Sequence, residues 1–199
     1  MTDGYHHGDL RAELLGRAAD VIEREGPADL SLRALSREAG VSHAAPRHHF
    51  TSRAGLLTAL ACEGFRLLAQ RLREADAGGV FVEVGVAYVQ FAVDFPAHFD
   101  VMFRPDLLDK GDADLLASQE EAFGVLRSGV DSMAARGAVS DAASAVVAGW
   151  SLAHGLATLA ASGNLDDTRL LDLLVEPDLP AMTRRAAGML YGSPGGGKQ

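Results

Sequence analysis

Cysteine is nearly missing from this chain of 199 residues: Cys62 is the only one, so no internal disulfide can form. The opening "MTDGYHHGDL" lacks the basic, then apolar, then small-residue order of a secretory signal, and the expected compartment is the cytoplasm. A clean membrane span is missing too. The apolar run "VFVEVGVAYVQFAVDFPAHFDVMF", Val80 to Phe103, is long enough, but Glu83 and Asp94 would lie in hydrocarbon and Pro96 would break the helix, so it reads as buried helix in a soluble protein. Sustained two-residue alternation between hairpin turns does not occur, and strands are not expected. Positive charge is in deficit: 18 Lys and Arg stand against 27 Asp and Glu, a net charge of -9, which at first sight disfavours a nucleic-acid partner.

What is present is ample core material and an uneven charge. With 48% hydrophobic and 23% charged residues the chain can bury a substantial interior. Up to Arg53 there are seven Arg against eight acids together with five of the seven histidines, whereas the remainder holds eleven basic residues against nineteen acids. The acidity therefore belongs to the second part, and a local basic face on the first stays open. Helical spacing starts at once. Asp9 is read as an N-cap for a helix carrying Leu10, Leu14, Ala18, Val21 and Ile22, stopped by Gly26-Pro27. Ser31 caps a short second helix with Leu32, Leu35 and Ala39, and Gly40 ends it as a residue that takes positive φ at little cost. Val41 turns back to the core, and Ser42 is read as the cap of a third helix running to about Phe50. After "TSR" a long pattern through Leu56, Leu57, Leu60, Phe65, Leu68 and Leu72 ends near Gly78-Gly79. The rest predicts helices over roughly 80–95, 97–104, 112–136, 141–163 and 166–190, giving an all-α fold of about nine helices and a flexible tail, "GSPGGGKQ".

Two short helices joined at Gly40, with the small Ser36 four places earlier and Val41 just after, fit helix-turn-helix geometry, because the small side chain lets the helices approach while glycine reverses the chain. The adjacent His48 and His49 raise the question of a metal. Neighbours on a helix point about 100° apart, and no Cys or carboxylate lies three or four places on, so no metal site is expected. Two readings of the pair remain: His49 packs or caps beside a buried Phe50, or the histidines belong to an exposed docking face.

The extended run "SLRALSREAGVSHAAPRHHFTSRAGLLTAL" resembles the amino-terminal domain of TetR-family transcriptional regulators, and the likeness covers roughly residues 8–62. In that family the short recognition helix ends in Tyr-x-His-Phe and a basic residue opens the next helix; Arg47-His48-His49-Phe50 and Arg53 occupy those places here. Arg47 thus replaces the usual tyrosine, and Pro46 replaces an apolar residue such as leucine. Arginine still offers phosphate donors and can reach a guanine edge, while proline near a helix start fixes its entry. The resemblance implies a double-stranded DNA operator, with His43, Ala44, Arg47 and His48 toward the major groove and Ser42, His49 and Arg53 toward phosphates. The implied contact set also includes Ser31 and Arg33. Tyr5, His6, His7 and Arg11 either meet the DNA backbone as a flanking arm or, for Tyr5 to His7, remain disordered.

The second part is larger than a scaffold for two short helices requires. Its Phe65, Tyr88, Phe91, Phe95, Phe99, Met102, Phe103, Phe123, Met133, Trp150 and Met182 are what any helical core uses. The stretches "FPAHFDVMF" and "WSLAHGLATL" resemble the carboxy-terminal domain of the TetR subgroup marked by Trp-x-x-x-His-Gly, here Trp150, His154 and Gly155. Trp150 and His154 lie one turn apart and share a face; the imidazole is either a satisfied core group or a polar handle for a ligand. The resemblance implies a small-molecule effector held by Phe65, Tyr88, Phe91, Phe95, Phe99, Met102, Phe103, Phe123, Trp150 and His154. The Ala- and Gly-rich stretch from Ala142 to Ala161, with Leu152, Leu156 and Leu159, and the later Leu170, Leu171 and Leu174 suit a two-fold four-helix interface and hence a homodimer. The expected organisation is a DNA-binding domain over 1–54, a ligand-binding and dimerisation domain over 55–192 and a tail over 193–199. The expected function is a ligand-responsive transcriptional regulator, a repressor released from DNA by a small apolar or amphipathic molecule, with no cofactor, metal or catalytic residue. Two rivals are a protein-interaction module of the same fold without DNA binding, and a small helical enzyme using His154 or His98 as general base. The enzyme lacks any nucleophile-base-orienter spacing, metal-ligand cluster or phosphate loop.

Overall fold

A computed structural model describes residues 7–42, 44–165 and 178–191, and among them every regular element is a helix. Tyr5, His6, His43, Leu170, Leu171, Leu174 and the tail over 193–199 lie outside the described residues, as do the side chains of His7 and Asp9. By packing, the chain forms two units: one holds the described residues up to Phe65 together with Phe95–Ser118, and the other holds Arg66–Asp94 and the described residues from Gln119 on.

The first unit opens with α1, His7–Glu25, which buries Leu10, Leu14, Leu15, Ala18, Val21 and Ile22 as one stripe at helical spacing. Because α1 starts at His7, Asp9 lies within its first turn and is not the cap that its position suggested. Gly26 ends the helix with φ 83°, its amide donating to the Ile22 carbonyl at 2.8 Å, and the buried Pro27 opens a 3-10 turn, Pro27–Asp29. Helix α2, Leu32–Glu38, is capped as its sequence predicts: Ser31 Oγ accepts from the Ala34 amide at 3.1 Å. Ser36 is fully buried and donates its hydroxyl to the Leu32 carbonyl at 2.8 Å, which removes the cost of an unpaired buried polar group. Gly40, at φ 66°, reverses the chain, and the Val41 amide bonds back to the Ser36 carbonyl at 3.0 Å.

Helix α3 is only five residues, Ala45–His49, shorter than expected and capped differently. Its N-cap is Ala44, with no side-chain cap bond, and Ser42 contributes its backbone carbonyl to the Ala45 amide at 3.0 Å. Proline explains part of this. A capping side chain accepts from the second or third helical amide, and Pro46, second in α3, has no N–H. Helix α4, Arg53–Asp76, runs on beyond Phe65; its first half buries Leu56, Leu57 and Leu60 completely. Helix α6, Pro96–Met102, completes the unit by packing on α1 and on the 3-10 turn.

The second unit is built on α5, Val82–Asp94, which packs against α8, Ala142–Ala161, and α9, Leu179–Tyr191, with α8 and α9 also in contact. Helix α7, Ala113–Ala135, passes from the first unit into this one. Gly149 of α8 lies under Tyr191, whose hydroxyl donates to the Ala145 carbonyl at 2.7 Å, and Glu83 accepts from Arg184 Nε at 2.6 Å. The apolar α8 is long enough to cross a membrane by length and composition, yet of its residues only Gly149 and Ala157 are buried within the chain. Val147, Trp150 and Leu159 of α8 and Met189 and Leu190 of α9 stand exposed, Met189 at 87%.

Candidate functional site

Helix α3 divides cleanly. Pro46 and Phe50, four positions apart, are buried, while Arg47 and His48 between them are exposed. His49 is half-buried, its ring 6.2 Å from that of Phe50. Exposed residues continue on either side: Ser42 and Ala44 before α3, and Ser31, Arg33 and Arg37 at and along α2. The result is a small surface with three exposed arginines and a histidine above a buried underside, able to donate hydrogen bonds to anionic oxygens or to the acceptors of base edges.

Two arginines from the amino-terminal expectations make contacts within their own unit, Arg53 half-buried and Arg11 exposed. Arg53, expected at a phosphate, is half-buried; its Nε donates to the Leu30 carbonyl at 2.9 Å and its Nη2 to the Pro27 carbonyl. Arg11 holds its guanidinium 5.5 Å from the centre of the Phe50 ring. Sequence reasoning missed a second pair altogether: His98 of α6 bonds Glu63 of α4 at 3.1 Å, beside the Phe95 ring. That hydrogen bond, more than the positive field of Arg11, holds the Glu63 carboxyl below its usual range against the effect of burial. Nothing in the sequence pairs residues 35 positions apart; an acidic residue amid the apolar stretch of α4 was the one available signal.

The residues expected around an effector fall in both units. In the first, the Phe65 and Phe103 rings meet edge to face at 5.7 Å, Phe99 and Phe103 lie 5.1 Å apart, and Met102 is buried against Gly64. Phe95 lies in the same unit. In the second, Tyr88 of α5 places its hydroxyl 3.0 Å from His154 Nδ1, and Trp150 stacks obliquely on that imidazole at 5.9 Å. Burial pushes the Tyr88 phenol far above its ordinary value, with a Trp150 hydrogen bond opposing, and burial pushes His154 down. The imidazole is thus favoured neutral, and Nδ1 can accept the Tyr88 proton. Phe91 is fully buried, whereas Phe123 is 39% exposed with Arg127 over its ring at 6.0 Å. His98 is paired with a carboxylate and His154 with a phenol, arrangements that satisfy polar groups within an apolar bundle.

Residues 14–60 match the family of bacterial regulatory proteins called the tetR family, and residues 81–182 match a domain described as tetracyclin repressor-like, C-terminal. No curated protein matches the chain. A solved protein of unknown function from Rhodococcus sp. RHA1 is 32% identical, with a TM-score of 0.79 over 96% of this chain and 97% of that one. A bacterial regulatory protein in the tetR family from Rhodococcus RHA1 shares 17% identity and a TM-score of 0.70, covering 91% of this chain and 94% of its own. The TetR family transcriptional regulator PfmR from Thermus thermophilus shares 18% identity and a TM-score of 0.65, over 89% and 96%. At those identities the last two likenesses concern the fold.

Proposed function

The chain belongs to the tetR family of bacterial regulatory proteins, and from that premise we propose how this transcriptional regulator works. Residues 1–54 form the DNA-binding domain and residues 55–192 the domain that binds an effector and dimerises. Two copies present their α3 helices to successive major grooves of a double-stranded operator, about 34–36 Å apart. The observation that carries this reading is the division of α3, with Pro46 and Phe50 anchored inside and Arg47 and His48 facing solvent. Arg47 and His48 read base edges with Ala44, while Ser31, Arg33, Ser42 and His49 address phosphates.

Homodimerisation is supported by the exposed apolar face of α8 and α9, which a second copy would remove from water. The effector is a small apolar or amphipathic molecule, and the Trp150, His154 and Gly155 pattern with its Tyr88 partner supports membership of the subgroup marked by Trp-x-x-x-His-Gly. As a repressor, the protein would leave its operator when the effector favours a conformer whose α3 spacing no longer fits. A near-complete switch requires about 5.5 kcal/mol of differential affinity. The site of action is the cytoplasm.

Electrophoretic mobility of DNA taken from upstream of the encoding gene tests this directly. A sequence-selective shift at low salt, weakened as salt rises, is expected. Absence of any selective shift with the wild-type protein would end the reading.

A further inference from the structure

We infer that Arg53 is a positioning residue for DNA recognition: it straps the first turn of α4 to the entry of α2 and thereby holds the helix-turn-helix in register, in place of the phosphate contact that its sequence position suggests. The inference rests on the reading that α2 and α3 dock on DNA. The guanidinium edge formed by Nε and Nη2, the one suited to a side-on fork, is turned toward the Leu30 and Pro27 carbonyls. Those carbonyls belong to the Pro27–Asp29 turn and the residue ending it, a segment of three helical residues too short to satisfy its own end groups.

The location gives the strap its effect. Leu30 is 2% exposed, extended at φ -64° and ψ 122°, and immediately precedes Ser31, the cap of α2. The bond from Arg53 Nε to the Leu30 carbonyl spans 23 positions, so it ties together the two ends of a segment containing α2, the Gly40 turn and α3. Helix α3 has five residues and no side-chain cap, so it depends on what holds its ends. After it comes α4, fastened by Ser52 Oγ accepting from the Gly55 amide at 3.0 Å. The 3-10 turn gripped by Arg53 itself packs on α1 and α6, so the strap anchors the segment to the rest of its unit. Lysine cannot substitute, because one ammonium on a flexible stem does not reproduce a planar fork onto two carbonyls.

The full-length wild-type protein and its Arg53→Lys and Arg53→Gln variants would be titrated onto the upstream fragment that the wild type shifts and onto a scrambled duplex of equal length. Titration over a salt series, at a temperature where circular dichroism shows all three folded, gives affinities and salt slopes together. Both variants are expected to lose about tenfold or more on the selective fragment, since neither keeps the charged fork onto two carbonyls, while binding the scrambled duplex as before with an unchanged logarithmic salt slope. Wild-type behaviour of Arg53→Lys overturns the proposal, as does a slope reduced by about 0.9 in Arg53→Gln, the mark of one lost phosphate contact. Equal loss on both duplexes also overturns it, because that is what destabilisation alone produces. If the wild type selects no fragment at all, the functional reading has failed, and the strap is judged without DNA. Amide exchange in α2 is then expected to rise in Arg53→Gln, and unchanged exchange refutes it.

Discussion

Arg47 stands exposed one position from the buried Pro46, and a guanidinium so placed has two uses on DNA, a base edge or a phosphate. Arg47→Ala is expected to lower operator affinity by about 1–3 kcal/mol with relaxed preference at one base position if the edge is read, measured by titration against single-base operator variants. A fall that is equal for every variant assigns it to the backbone. His154 makes a different prediction, through acidity. Burial holds its folded pKa below the unfolded value of about 6.5, so the unfolded chain takes up the proton first as pH falls. Stability is therefore indifferent to this group above about pH 6.5 and declines below it until the folded value is passed. Protonation also turns Nδ1 into a donor and removes the acceptor for the Tyr88 hydroxyl. Melting temperatures of wild type and His154→Gln should converge as pH is lowered from 7.5 toward 5.5, roughly the window set by an ordinary histidine.

Elements in this protein meet at glycines, and the space at each decides what a methyl group would do. A Cβ at Gly149 would overlap the Tyr191 hydroxyl, so Gly149→Ala must expel that hydroxyl from the Ala145 carbonyl and part α8 from α9. A loss of about 1–3 kcal/mol, read by denaturant unfolding, is expected. Gly16, exposed within α1, has nothing within 4 Å of its added Cβ. Gly16→Ala is expected to stabilise by about 0.5–1 kcal/mol through helix propensity and a less disordered unfolded chain.

At the scale of the whole molecule, the exposed apolar residues of α8 and α9 are the surface that the proposed homodimer would cover. Val147 is 62% exposed and Met189 87% exposed, both in the second unit. The double substitution Val147→Glu with Met189→Glu is expected to convert a dimer to a monomer by sedimentation or light scattering. It should also abolish selective operator binding, because one recognition helix loses the partner that doubles its contact. A net charge of -9 works against DNA at long range, so affinity should depend on the local guanidinium groups and fall steeply with salt.

The sequence by itself determined most of the helices, because their signals are local, although the helix expected over 166–190 is not continuous: Asp178 is not helical, α9 begins at Leu179, and 166–177 lie outside the described residues. Leu10, Leu14, Ala18, Val21 and Ile22 repeat at helical spacing and are all buried; Ser31 caps where it was expected; Gly40 takes the positive φ that the turn needs. The same locality made the candidate DNA face readable, since Pro46, Arg47, His48 and Phe50 sit in one short register. Only the tertiary structure decided where long side chains end. Arg53 reaches across 23 positions to the Leu30 carbonyl, Tyr88 meets His154 across 66, and His98 finds Glu63 across 35. Helical periodicity says which face a residue occupies, but the partner across that face is fixed by how the helices pack, and a flexible charged side chain goes to whichever acceptor that packing leaves unpaired.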